Sequence, residues 1–594
     1  MVLTALVLLI SIACGSARLV DSIHAINESS YDFVVVGAGT AGNVLVNRLT
    51  ANPNVSVLVI ESGENDDGVE GLIVPFLAPD NLSNTSLIWN YTTVPQTALD
   101  NRTLAYQRGR VLGGSSSINF MFYTRGPRAD FDRFANFSGD EGWSWDSVFP
   151  FMLEDEDLVP PVDGHDTAGE FNPAVHGTSG PIQTTLTGTS FPTDSLILQT
   201  TSVNSTAFPF NIDVNSGDPL GISWVQTDTG GGIRHSSAVG YLHPVLTRVN
   251  LEVIANAHVT RLLNIKSRQE PDMRGVAFYS RSGFVVYARK EVILAAGAIN
   301  TPQLLMLSGI GPSAELESLG ITPVIDSPAV GQHMQDHPLF AVVWSSPNSS
   351  FTLDASLRNT TFVADALEEW VTSKTGLFSG VGTNLFGWFR FPPSSNIFSE
   401  FKDPAAGPTA PHVEIIFNAL QNQFRSFAQP IPDKGSYLTA TLAVSSPASR
   451  GSVKLTSSNP FTFPAIDPGF LTHPYDLAAM IEAIHIADDF FSQSPWADLQ
   501  LLPFGAFANA TTDDLLASMI RSEVTTFWHP CCTARMGANS DSSAVVDSNL
   551  LVKGVNGLRV VDASVMASLT AHLQAPVYAI AERGAALVKL AWDI

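Results

Sequence analysis

Three cysteines in 594 residues leave no disulfide framework, so the chain must rely on its core for stability. Cys14 lies in the leading segment, and Cys531 and Cys532 are neighbours. A bond between adjacent cysteines is strained, and two packed thiols are expected there. Basic residues are also scarce, with 31 Lys and Arg against 56 Asp and Glu, a net charge of −25 and a pI near 4.7. That balance argues against nucleic acid or an anionic membrane as partner. Long apolar runs are missing as well. Val2–Ala13 is too short to span a bilayer. With the small residues Gly15-Ser16-Ala17 behind it, the segment 1–17 reads as a secretory signal peptide whose n-region has no Lys or Arg. No His, Cys or carboxylate cluster has metal-ligand spacing, so no metal is expected. There is no internal repeat and no low-complexity tract.

What is present points to a large, well-filled enzyme. Hydrophobic residues make up 45% and charged residues only 15%, and the length exceeds what one core usually supports, so two closely packed domains are expected. Eleven N-x-S/T sequons support export: Asn27, Asn54, Asn81, Asn84, Asn90, Asn101, Asn136, Asn204, Asn348, Asn359 and Asn509. A secreted, glycosylated protein is the expectation, with Asn54 an exception because a buried strand follows it.

The organising stretch is Tyr31–Glu61. Phe33–Val36 is a short β-branched run, read as a buried parallel strand. Gly37, Gly39 and Gly42 then form G-x-G-x-x-G. Ala41–Leu49 has helical apolar spacing, Ser56–Ile60 is a second buried strand, and Glu61 stands 19 residues after Gly42. Gly37 permits the tight turn, Gly39 lets the backbone approach a pyrophosphate, and Gly42 lets helix and strand pack closely. The helix N-terminus offers free N–H groups to the phosphates, and Glu61 can accept hydrogen bonds from a ribose diol. Both strands and the acid at this spacing make a dinucleotide site. The motif alone does not separate FAD from NAD.

Further along, residues 62–105 read as loop. Gly109–Asp132 carries a second glycine-rich turn, Gly113-Gly114-Ser115-Ser116-Ser117, whose N–H groups and hydroxyls could contact a phosphate or a flavin edge. Residues 157–182 read as a long surface loop. Leu251–Ile265 reads as paired strands, and Val276–Ser280 with Phe284–Ala288 as a hairpin turning near Ser282-Gly283. Glu291–Gly297 is a buried strand, Thr301–Leu307 a short helix, Leu477–Phe491 an amphipathic helix, and Gly557–Asp562 a strand. The last helix is expected over Pro576–Leu590.

From about Tyr31 to the end, with the dinucleotide motif at its start, the chain resembles the glucose–methanol–choline oxidoreductases. One signature runs through Gly109, Gly113, Gly114, Asn119, Tyr123, Gly126 and Asp132. A second comprises Gly297, Ala298, Thr301, Pro302 and Ser308-Gly309-Ile310-Gly311. A C-terminal block, Val560–Lys589, contains Asp562 and Gln574-Ala575-Pro576-Val577-Tyr578. Within the family the chain is most similar to secreted fungal aryl-alcohol oxidases, through Trp89–Thr93, Gly139–Asp146, Gly169–Gly180 and Asp403–Pro408.

The resemblance implies an α/β FAD-binding Rossmann-like domain plus an α+β substrate domain with an antiparallel sheet. It divides the chain as 31–150, 225–335 and 540–594 for FAD, and 151–224 and 336–539 for substrate. It implies FAD as cofactor, with Glu61 on the adenosine ribose, Val259 near the adenine, and Ser115 and Asn119 near pyrophosphate and flavin. Some relatives attach the flavin to a histidine near the Gly-Gly-Ser-Ser turn. No histidine lies between Tyr106 and Asp132, so noncovalent FAD is expected.

The implied chemistry is oxidation of a small-molecule primary, activated alcohol to an aldehyde, with O2 as electron acceptor and H2O2 as product. Such oxidation needs a base for the hydroxyl proton and a flavin for the hydride, and neutral His suits the base. Family carry-over places the base at His529 and the second active-site position at His572. Phe120 and Trp528 hold positions that narrow the substrate path in aryl-alcohol oxidases, and Glu414 lies in a segment that approaches the site in relatives. His337, in Gln335-Asp336-His337, matches a family position and is read as packing.

There are departures. Cys532 replaces a small residue, Asn119 stands where the aryl-alcohol oxidases have His, and Ser568–Ala571 is more apolar than in relatives. Three alternatives stand beside the oxidase reading: a dehydrogenase using quinone-type acceptors, a tailoring enzyme with one dedicated alcohol, and a non-redox lyase that keeps FAD structurally.

Overall fold

The computed structural model describes residues 19–20, 29–266, 271–419 and 432–594. The segment 1–17 expected as a signal peptide, with Cys14, and the sequon at Asn27 lie outside the described residues. Among the described residues no helix is long and apolar enough to cross a membrane.

The β-branched run at the start of the organising stretch forms the strand Ser30–Val36, fully buried from Phe33 onward. Gly37, at φ +103°, turns the chain into the helix Thr40–Leu49, and the chain returns in the strand Val57–Ile60. These strands pair in parallel at the centre of an eight-stranded sheet. Ser282–Leu294 pairs with Ser30–Val36 on the side away from Val57–Ile60 and also receives Leu558–Val560 from the far end of the chain. The last helix, Gln574–Trp592, packs against Thr40–Leu49. A buried interior of aliphatic side chains from both ends of the sequence holds this layer together.

The two strands expected to pair within Leu251–Ile265 do form, as Leu251–Ile254 and His258–Leu263, but they do not pair with each other. Leu251–Ile254 runs parallel to Val57–Ile60, whereas His258–Leu263 runs antiparallel to Gly275–Ser280. Asn256, in the left-handed region at φ 54°, turns the chain between them. The second arm of the expected hairpin and the buried strand that follows merge into one 13-residue strand, Ser282–Leu294, with the turn at Arg281. Its first half closes the hairpin and its second half joins the parallel sheet.

Above this layer lies a seven-stranded antiparallel sheet. Its order is Leu502–Pro503, Pro338–Ser346, Ser436–Val444, Val413–Asn418, Leu385–Phe389 and Gly221–Trp224, with Thr525–Thr526 beside Pro338–Leu339. The helix Pro474–Ser492 packs on Ser436–Val444, burying an apolar stripe that includes Tyr475, Ala479, Ala483, Ala487 and Phe490.

The loop expected over 157–182 is less superficial than its composition suggested. It delivers His176 to a fully buried ionic cluster. Arg125 pairs with Glu156, and His176 bonds Glu156 through Nδ1 at 3.0 Å and Asp213 through Nε2 at 2.8 Å. Both ring nitrogens must donate to carboxylates, so the ring is an imidazolium. Hydrogen bonds and charge from the two acids outweigh the opposing effect of burial and raise His176 to about 9, while Glu156 and Asp213 are held below their ordinary values.

The His176 contribution to stability is therefore complete below about pH 6.5 and is lost as pH rises through about 9. The two carboxylate contributions are present above their ordinary values and fade as pH falls. We expect the stability difference between wild type and His176→Gln, measured by urea unfolding, to reach a few kcal/mol (about 3) near pH 6 and to shrink steadily up to pH ~9. A difference that stays constant over that range would contradict the charged assignment.

Candidate active site

One cavity between the two sheets is lined by Gly37, Gly39, Glu61, Gly114, Ser115, Asn119, Phe120, Val259, Trp528, His529, Asp562 and His572. Twelve of the fourteen residues singled out from the sequence thus meet in one place. Gly42 and Gly113 are not on its wall. A Cβ on Gly42 would sit 2.0 Å from the Gly37 carbonyl oxygen, so this glycine serves helix–strand packing. A Cβ on Gly113 would strike the Ser117 hydroxyl at 2.1 Å, so this one shapes the second turn.

The two glycine-rich turns touch. A Cβ on Gly114 would come within 2.8 Å of Gly39 Cα. On Gly39 itself, a Cβ would meet only Gly114 Cα, at 3.8 Å, and on Gly297 it would meet no protein atom. These two lining positions keep space for a ligand, which is what a dinucleotide cradle requires. Gly39→Ala is expected to fold but to bind FAD ~10- to 10²-fold more weakly, because the methyl intrudes into the space this lining position keeps free. Gly42→Ala should instead destabilise the protein itself. Flavin titration of the two purified apoproteins with thermal melting separates the effects, and equal melting losses would contradict this division.

Glu61 ends its strand with the carboxylate accepting from the backbone N–H of Ala38 at 2.9 Å and of Gly63 at 2.7 Å. Asp562 accepts from Gly297 N–H at 2.9 Å and the Thr301 hydroxyl at 2.6 Å, and so fixes the N-terminus of the helix Gly297–Leu307. Asn119 joins two distant parts. Its oxygen accepts from Arg234, and its amide N–H donates to Gln574, the first residue of the last helix.

At the roof of the cavity, His529 and His572 stand face to tilted face, with ring centroids 5.0 Å apart. His572 Nε2 lies 2.7 Å from Glu414 Oε1, and its ring stacks on Phe122 at 5.3 Å. Phe527 packs against both histidines, and Phe120 faces Trp528 at 6.2 Å. Trp528 occupies the left-handed region at φ 57°, a conformation costing about 1–3 kcal/mol for a bulky residue. It is held there by its N–H on the Thr526 hydroxyl, its indole on Gln107 and its carbonyl on Arg108. Burial first, then the neighbouring His572, His337 and Arg108, push His529 well below the ordinary histidine range. It is therefore neutral at pH 7 and able to take a proton.

Two expectations need correction. His337 is not mere packing, since its Nδ1 lies 2.9 Å from His529 Nδ1. The strand pairing Pro338↔Thr526 continues outward through Phe527 N–H on the His337 carbonyl, and so lays Asp336 and His337 beside Trp528 and His529. The match of Gln335-Asp336-His337 to a family position was the sequence signal, and the contact with His529 became readable only with the partner strand known. Second, Cys531 and Cys532 form a vicinal disulfide rather than two thiols. Cys532 sits in the left-handed region at φ 75°, and both residues are fully buried. Among the described residues no group of three or more His, Cys, Asp or Glu could hold a metal.

The chain was compared with known proteins. The family described as GMC oxidoreductase matches residues 31–339 through its N-terminal part and residues 447–581 through its C-terminal part. A dehydrogenase of Hericium erinaceus, eriK, is 37% identical over 98% of both chains. Pyranose dehydrogenase 3 of Leucoagaricus meleagris is 36% identical, covering 95% of this chain and 93% of its own. Among solved structures, an FAD-dependent oxidoreductase from Chaetomium thermophilum superposes with a TM-score of 0.85 at 28% identity, over 95% of this chain and 100% of that one. A fungal aryl-alcohol oxidase does so with a TM-score of 0.82 at 26% identity, over 96% and 100%. With its two signatures, its glycine cradle and its fold in agreement, the chain belongs to the glucose–methanol–choline (GMC) oxidoreductases, FAD-dependent enzymes acting on CH–OH groups.

Proposed function

We propose that this protein oxidises primary, activated alcohols, aromatic or allylic, to aldehydes, with O2 as electron acceptor and H2O2 as product. The observation that carries the substrate class is the wall of the cavity around the two histidines. It is built from Phe120, Phe122, Ile416, Phe527 and Trp528, which suit a flat apolar group better than a polyol.

In this reading the cradle at Gly37, Gly39, Gly114 and Ser115 holds the pyrophosphate, Glu61 and Val259 meet the adenosine, and Asn119 and Asp562 lie along the rest of the cofactor. When bound, FAD would supply the hydride acceptor that no protein side chain provides. His529, neutral by burial, takes the hydroxyl proton of the substrate. His572, fixed by Glu414, holds the substrate oxygen beside it. The aromatic walls align the alcohol carbon and keep water away. A proton held on His529 would put a positive charge beside the cofactor site, where it would favour an anionic ligand.

FAD is held noncovalently in this proposal. Acid precipitation is expected to leave the flavin in the supernatant, and yellow colour retained in the pellet would contradict it. A second reading, a dehydrogenase passing electrons to quinone-type acceptors, draws on the relatives from Hericium and Leucoagaricus, both named dehydrogenases. Peroxide and aldehyde measured together on aryl and allylic alcohols test the proposal. Equal yields in air support the oxidase. Aldehyde formed only when a quinone is added would replace it with the dehydrogenase. Turnover of sugars but not aryl alcohols would overturn the substrate class.

A further inference from the structure

We propose that His337 is a positioning residue that sets the tautomer of His529, leaving the nitrogen that faces the cavity unprotonated. The inference deepens the proposed function and rests on its assignment of His529 as the base.

The argument is one of donors and acceptors. His337 Nε2 lies 3.1 Å from the Ser445 carbonyl oxygen. A carbonyl can only accept, so Nε2 carries a proton. The ring is buried, at 1% exposure, and burial first, then the neighbouring His572, push its pKa down to about 3, so it is neutral. A neutral imidazole protonated on Nε2 has a bare Nδ1, which can only accept. The atom opposite, His529 Nδ1 at 2.9 Å, must therefore be the donor. His529 is neutral too, so its single proton is on Nδ1, and Nε2 has a free lone pair. The other tautomer would set two nitrogen lone pairs against each other at 2.9 Å with no proton between them.

Position agrees with this assignment. His529 lines the cavity and His337 does not, so His337 acts through its neighbour rather than on substrate. The His529 ring is also held at its root, because its backbone N–H donates to Asp336 Oδ1 at 2.8 Å. Asp336 in turn accepts from Tyr106 and Thr526 and is rigid itself. The relay Ser445 carbonyl, His337, His529 thus points a lone pair into the cavity before any substrate arrives. Once His529 has taken the alcohol proton on Nε2, its Nδ1–H still donates to His337, and the new charge keeps a hydrogen-bond partner.

The test compares His337→Phe, which keeps a flat ring but removes the acceptor, with His337→Asn, whose amide oxygen can stand near the position of Nδ1. Both are read in the FAD-loaded enzyme by anaerobic flavin reduction across alcohol concentrations. We expect His337→Phe to slow the limiting reduction rate at least ~10-fold with substrate affinity little changed, and His337→Asn to restore most of it. In a His529→Ala background, His337→Phe should add no further loss.

A second readout does not depend on turnover. With isotopically labelled histidine, the resonance absent from His529→Ala should report a protonated Nδ1 and a bare Nε2 in wild type, and a mixture in His337→Phe. Phe and Asn variants equally slow with FAD retained, or a Phe variant as fast as wild type, would overturn the inference. If the Phe variant does not fold, the Asn variant decides, and reduction below a tenth of wild type overturns the inference. Full activity in His529→Ala would bring down the base assignment itself, whereas loss there with none in the His337 variants defeats only the tautomer inference.

Discussion

Replacing His529 with alanine is expected to slow anaerobic flavin reduction by at least ~10²-fold while FAD remains bound, because the substrate hydroxyl loses the neutral imidazole assigned to take its proton. Glu414 is already engaged with His572, and Asp336 points at backbone and hydroxyl donors rather than at the cavity. The same burial that makes His529 neutral gives the pH dependence a sign. Its pKa lies below the ordinary value of 6.5, so the reductive rate should hold steady through pH 6.5 and fall only in more acid solution. Rapid-mixing spectroscopy of wild type and variant over a pH series checks both points. An unchanged reductive rate in His529→Ala would remove the residue from the mechanism.

Arg125→Met is expected to cost the folded protein about 3–5 kcal/mol, the usual penalty for breaking a buried ionic group on one side only. Arg125 is completely buried, pairs with Glu156, and donates to the carbonyls of Val175, Asn215 and Met152. Without it, Glu156 would keep only His176, Thr184 and the Gly177 N–H, and those carbonyls would lose a donor. The residue lies only a few positions after Phe120 and Phe122, so the loss should also loosen the wall beside the histidines. Denaturant unfolding of the holoenzyme measures the first effect, and a change below 1 kcal/mol would contradict the reading of this cluster as a keystone of the fold.

How much of this was legible in the sequence depended on distance along the chain. The cradle was readable because its parts are local. A strand, three glycines, a helix and an acid within Tyr31–Glu61 leave little freedom, and the structure puts Gly37, Gly39 and Glu61 on one cavity wall. His529 and His572 were named through family motifs, and they do stand together. Their supports, Glu414 and His337, were named through the resemblance, but which histidine each one holds was not readable. Glu414 reaches His572 from another strand of the roof sheet, and His337 reaches His529 through the pairing of Pro338–Leu339 with Thr525–Thr526.

The strands Leu251–Ile254 and His258–Leu263 show the same limit. Their apolar pattern announced strands, but their partners come from residues 57–60 and 275–280, which no local period encodes. The cluster of Arg125, Glu156, His176 and Asp213 was invisible for a related reason. Charged residues in separate loops read as solvated surface until packing removes the water. Adjacent cysteines, finally, carry no sequence mark that distinguishes two thiols from a bond.

The central claim is that an aryl or allylic alcohol reduces the flavin of this protein and that oxygen takes the electrons back. It is tested most directly by mixing the purified yellow protein with such an alcohol without air, following the flavin band, and then admitting air. Rapid bleaching followed by rapid return of colour is the predicted result. No bleaching by any aryl or allylic alcohol, or bleaching that air fails to reverse until a quinone is added, would contradict it.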